Sequence, residues 1–115
     1  MVEIIYIVAH VIAEEPYLKE VQEALLKAVD ATQCEEGCLQ YELFQNADNF
    51  NQWTILEIWK SEQALVKHAG GIAFRTLKRN IEGKAKLIVH RLLPVYSEQP
   101  STNADPEFWV GNGLP

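Results

Sequence analysis

The chain opens on an alternation of period two. Between residues 2 and 13, Val2, Ile4, Tyr6, Val8, His10 and Ile12 fall on one side, and Ile5, Ile7, Ala9, Val11 and Ala13 fall on the other. This is a strand pattern with two largely apolar faces. Glu14, Glu15 and Pro16 then give a helix start, with proline suited to the first helical position and the acids placed where the helix dipole favours negative charge. Leu18, Val21, Leu25, Ala28 and Val29 follow at spacings of three and four, which predicts an amphipathic helix ended by Glu36 and Gly37. Period two returns over Cys38 to Gln45, where Leu39, Tyr41 and Leu43 alternate with Cys38, Gln40, Glu42 and Phe44. The Asn- and Asp-rich stretch from Asn46 to Gln52 predicts a hairpin connection into a third strand, Trp53 to Lys60. Ser61 can cap a short helix carrying Ala64, Leu65 and His68 inward. Gly70 and Gly71 interrupt it, Phe74, Leu77 and Ile81 resume helical spacing as far as Gly83, and Lys86 to Tyr96 reads as a fourth strand. Pro94 places the end of that strand near a sheet edge.

The order β-α-β-β-α-β predicts an α+β chain with the ferredoxin-like, split βαβ plan. Helices cover one sheet face in that plan. The other face would still carry apolar side chains, more than a lone subunit normally exposes, so a homodimer with sheets face to face, a dimeric α/β barrel, is expected. Residues 1–96 form this domain. Residues 97–115 are polar and rich in Pro and Gly apart from Phe108, Trp109 and Val110, and that patch is expected to dock on the sheet edge or on the partner subunit.

Composition narrows the function classes. At 115 residues the chain makes one domain. Ten Lys and Arg against sixteen Asp and Glu leave a net charge of -6, with no basic track able to neutralise a phosphate backbone, so nucleic acid is not an expected partner. The longest apolar run is about half a membrane span, and MVEIIYIVAH has neither a basic leader nor a small-residue cleavage site, so a cytoplasmic protein is expected. Cys34 and Cys38 fit neither a disulfide framework nor a paired metal site. Nucleotide-binding, GxSxG and HExxH patterns are lacking, and three scattered His give no metal spacing.

Glu57 stands out as a carboxylate between Ile55 and Trp59 on an apolar strand face. Desolvation would raise its pKa so that it could exchange a proton with a substrate, or it could fix the tautomer of a nearby His. The plainer alternative pairs it with Arg91, Arg75 or a backbone donor. His68 follows Trp59 by nine positions across a strand-to-helix turn, which would bring both toward one cavity. His10 lies in the apolar alternation of the first strand, where a neutral imidazole could take a proton or donate to a ligand. Tyr6, Tyr41, Trp53, Trp59 and Phe74 could line a flat pocket for an aromatic ligand, or could simply be core.

The stretch Glu36-Gly37-Cys38-Leu39-Gln40-Tyr41-Glu42-Leu43, followed by Ile55-Leu56-Glu57-Ile58-Trp59 and then Ala64-Leu65 and His68, resembles the antibiotic-biosynthesis monooxygenase family over about residues 2–95. The resemblance implies a dimeric α+β barrel that oxidises a small aromatic, phenolic or quinol-like substrate with O2, without metal, flavin or haem. On that footing His68 or His10 takes the substrate proton, Glu57 orients or charges the site, and Trp59 and Tyr41 shape it. The chain departs from the family where members commonly carry His-Phe, since Ala73-Phe74 stands there. Relatives include an isomerase-like branch acting on a phosphorylated signal compound and a group that degrades haem with an Asn, a Trp and a His. For the latter, Trp59 and His68 could supply two positions and His10 would stand at the third. A non-catalytic dimeric module binding a small ligand or a protein partner is the alternative from another class.

Overall fold

The computed structural model describes residues 3–96. β1 (Ile5–Ala13) is followed by a single 3-10 turn, Glu15–Tyr17, holding Pro16, and then by α1 (Leu18–Gln33). β2 (Cys38–Gln45) and β3 (Gln52–Trp59) form a hairpin, α2 (Glu62–Ala69) and α3 (Ile72–Ile81) follow, and β4 (Ala85–Leu92) closes the sheet. The strands lie in the order β2-β3-β1-β4 with every neighbouring pair antiparallel. This is the ferredoxin-like arrangement, with its second helix broken in two.

Local chemistry explains the punctuation. Asn46 Oδ1 accepts from the backbone N–H of Asp48 at 2.8 Å and of Asn49 at 3.1 Å, so one side chain shapes the hairpin turn. Ser61 caps α2, its hydroxyl oxygen accepting from Ala64 N–H at 3.1 Å. β4 stops at Leu92, and Leu93 to Tyr96 carry no regular structure: the strand is an edge, and Pro94 offers no N–H to continue its ladder. The expected fourth strand to Tyr96 is therefore too long.

All three helices pack on one face. Ile5, Ile7, Ala9, Val11 and Ala13 of β1 meet Val21, Ala24, Leu25 and Ala28 of α1 and Leu77 and Ile81 of α3 in the core. Each large aliphatic side chain fully buried there contributes roughly 1.5–3 kcal/mol. The opposite face carries Tyr6, Val8, Ile12, Ile58 and Ile88, half-buried, and Phe44, Leu56 and Leu92, exposed. Among the described residues nothing covers it. The tail 97–115 lies outside the described residues.

One local feature departs from strict alternation. Cys38 pairs with Trp59 and Gln40 with Ile58, so β2 carries an extra residue at Leu39, a bulge that leaves this side chain 56% exposed. Period two alone puts Cys38 and Tyr41 on opposite faces. The bulge brings both to the helix side, with Tyr41 directly beside Glu57.

Candidate active site

Five of the expected site residues meet under α2. Glu57 and Trp59 point from β3 toward the helices, Tyr41 stands beside Glu57 on β2, His68 descends from α2 and Phe74 from α3. The His68 ring lies 4.5 Å from Trp59 and 5.4 Å from Phe74, tilted by 32° and 36°, so it sits between two aromatic faces. Tyr41 meets it edge-on at 5.7 Å. Trp59 is 0% exposed, Tyr41 2%, His68 5% and Glu57 6%, which leaves half-buried Phe74 as the aromatic member nearest the surface. Lys78 Nζ rests 4.7 Å over the outer ring of Phe74.

The polar groups are paired. Trp59 Nε1–H donates to Glu57 Oε1 at 2.9 Å. An indole is thus the partner of Glu57, and neither arginine is: Arg91 bonds Glu62 at 2.9 Å and lies 3.6 Å from Glu3. Burial pushes the Glu57 carboxyl above the usual carboxylate range, the Trp59 bond and His68 draw it back, and Glu35 adds to the rise. Burial, reinforced by Glu57, raises the Tyr41 phenol so that it stays a neutral hydroxyl at physiological pH.

His68 Nδ1 lies 2.8 Å from Glu35 Oε1. The sequence reading did not single out Glu35, because it sits in the turn after α1, 33 residues from His68, with no local pattern marking it. Gly37 brings it there. At φ +85°, its ideal Cβ would stand 2.5 Å from Ala64 Cβ, so a residue with no side chain lets the α1–β2 turn press against α2. Lys60 N–H donates to Gly37 O at 2.8 Å and pins that turn to the end of β3.

The other expected residues lie elsewhere. His10 and Tyr6 face the open side of the sheet, opposite the cluster. His10 Nδ1 bonds Thr54 Oγ1 at 3.1 Å, and its ring is 6.4 Å from that of His90. Trp53 is buried on the helix side, yet four residues of extended strand, about 13 Å, separate it from Glu57. Among the described residues no three His, Cys, Asp or Glu side chains gather as a metal set, and no helix is long and apolar enough to cross a membrane.

The family model for antibiotic biosynthesis monooxygenase matches residues 4–80, which is most of the chain and includes every member of the cluster. The chain belongs to the antibiotic biosynthesis monooxygenase family. Solved structures with the same fold include a Pseudomonas aeruginosa protein, 22% identical with a TM-score of 0.75 over 81% of this chain and 95% of that one. A Bacteroides thetaiotaomicron protein described as a possible oxidoreductase is 21% identical, with a TM-score of 0.73 over 77% of this chain and 95% of its own. A structure titled as an antibiotic biosynthesis monooxygenase is 21% identical, with a TM-score of 0.75 over 80% and 99% of the two chains. No curated protein sequence matches the chain.

Proposed function

We propose that this member of the antibiotic biosynthesis monooxygenase family is a cofactor-independent monooxygenase that oxidises a small phenolic or quinol-like compound with O2. The observation that carries the reading is His68, a buried imidazole between two aromatic rings with a carboxylate at one nitrogen and a buried carboxyl nearby. Aromatic walls suit a flat substrate, and an oriented imidazole suits removal of a phenolic proton. His68 takes that proton. The substrate anion passes electrons to O2, the peroxide formed on carbon is protonated, and loss of water leaves a carbonyl, so the substrate supplies the reducing electrons. Glu57, held by Trp59, sets the charge of the site, while Tyr41 and Trp59 shape it. Entry requires Phe74 to swing aside, since Trp59, Tyr41, His68 and Glu57 are closed off.

The working unit in this proposal is a homodimer. Four strands at ~4.8 Å spacing and eight residues at ~3.4 Å rise give the open face a flat area of roughly 500 Å², an apolar expanse at the upper end of what monomers expose.

Oxygen uptake with a panel of hydroquinones tests the chemistry. Loss of the base in His68→Ala should lower turnover by about 10²–10⁴, and Glu57→Gln should lower it less. Unchanged turnover in His68→Ala refutes the assignment of the base. The close packing of the cluster favours a second reading, a non-catalytic dimeric module that binds a small aromatic ligand. Saturable quenching of Trp fluorescence by aromatic ligands, with no oxygen uptake, would decide for it.

A further inference from the structure

We infer that Glu35 is the positioning residue of this site, fixing the His68 ring as the Nδ1–H tautomer so that Nε2 presents its lone pair to the substrate. The inference rests on the functional reading above for what Nε2 does, and on geometry for the rest. A carboxylate can only accept, so the 2.8 Å contact between Glu35 Oε1 and His68 Nδ1 requires the proton on Nδ1. Among the described residues Nε2 has no hydrogen-bond partner. Glu57 does not share this task, because its Oε1 takes the Trp59 indole proton. The sequence-based alternative that Glu57 fixes the tautomer of a nearby His therefore passes to Glu35.

The contact is built into the chain. Glu35 N–H donates to Thr32 O at 2.9 Å and Glu35 O accepts from Cys38 N–H at 3.2 Å, so the backbone of this residue is held on both sides. The tight approach at Gly37 brings the same turn against Ala64, one helical turn before His68. Trp59 and Phe74 fix the plane of the ring, and Glu35 then fixes its rotation and tautomer. When His68 accepts a proton at Nε2, the imidazolium keeps its Nδ1–H on the Glu35 carboxylate. With its side chain 25% exposed, Glu35 offsets that positive charge from the edge of the site without being sealed inside it.

Long-range 1H–15N spectra of the ring nitrogens test this without any substrate, the His68 resonances being assigned by their loss in His68→Gln. The wild-type protein should show the Nδ1–H form, and Glu35→Ala should show Nε2–H or a mixture. Glu35→Gln retains an acceptor oxygen and should keep the Nδ1–H form. With a phenolic substrate that turns over, Glu35→Ala should lose at least about tenfold in kcat with KM within about twofold, and Glu35→Gln should fall between it and wild type. An Nε2–H ring in the wild-type protein, or an unchanged tautomer in Glu35→Ala, overturns the assignment. If the tautomer responds as expected while no phenol is oxidised, the positioning role of Glu35 stands and the oxidation reading falls.

Discussion

Replacing Gly37 by alanine separates two physical effects that the turn after α1 combines. The residue sits at φ +85°, where a Cβ costs about 1–2 kcal/mol in any L residue. The added methyl would also stand 2.5 Å from Ala64 Cβ, closer than two carbons can pack, and overpacking of this kind costs a further 1–3 kcal/mol. Gly37→Ala should therefore lose roughly 2–5 kcal/mol, and at about 4 °C per kcal/mol for a chain of this length the melting temperature should fall by on the order of 8–20 °C. Gly83 is the control. It also has positive φ, +76°, but a Cβ there meets nothing within 4 Å, so Gly83→Ala should lose only the conformational part, about 1–2 kcal/mol. Urea and thermal unfolding of both variants, and of Gly37→Ala with Ala64→Gly, give the comparison. The double variant should recover the overlap, less about 0.5–1 kcal/mol for placing glycine within α2. Equal losses in Gly37→Ala and Gly83→Ala would refute the claim that a close approach between the turn and α2 positions Glu35.

Glu57→Gln should stabilise the protein at neutral and alkaline pH. The unfolded chain ionises this carboxyl near pH ~4.3, the folded chain only above that because of burial, so the folded state binds more protons in the window between. Its contribution is complete below pH ~4.3 and is lost as pH rises through the folded value. Glutamine can keep the oxygen that accepts from Trp59 without carrying the charge. Urea titrations from pH 4 to 8 should show the two proteins alike at the acid end and the variant ahead by on the order of 1–3 kcal/mol at the other; a variant weaker than wild type at pH 8 would contradict this. For the open sheet face, light scattering should give twice the 13.1 kDa chain mass, and Leu56→Asp should halve it with the far-UV circular dichroism unchanged. A 13 kDa wild-type species at micromolar concentration would remove the homodimer.

Much of the cluster was legible because strand parity and helix spacing are local. Ile55, Glu57 and Trp59 share a face by alternation, and Ser61 followed by Ala64 and His68 sets a capped helix whose inner side follows from its period. Proximity of His68 to Trp59 followed from the short strand-to-helix turn between them. The bulge at Leu39 was not legible, since the alternation of β2 reads equally well without it, and only pairing with β3 reveals the extra residue. Nor was the separation of His10 and Tyr6 from His68, because β1 is apolar on both sides and its parity does not say which side the helices take.

By itself, then, the sequence determined the order of elements, the faces of β3 and α2, and the residue types able to hold a proton among aromatic rings. Those properties depend on neighbours within a few positions along the chain. Tertiary structure decided that Glu35 reaches His68, that Trp59 rather than an arginine binds Glu57, and that His10 stands across the sheet with Thr54 and His90. Each of these is a contact between elements far apart in sequence. The packing of α1, α2 and α3 against one face of the sheet selects them, and a linear pattern carries no record of that choice.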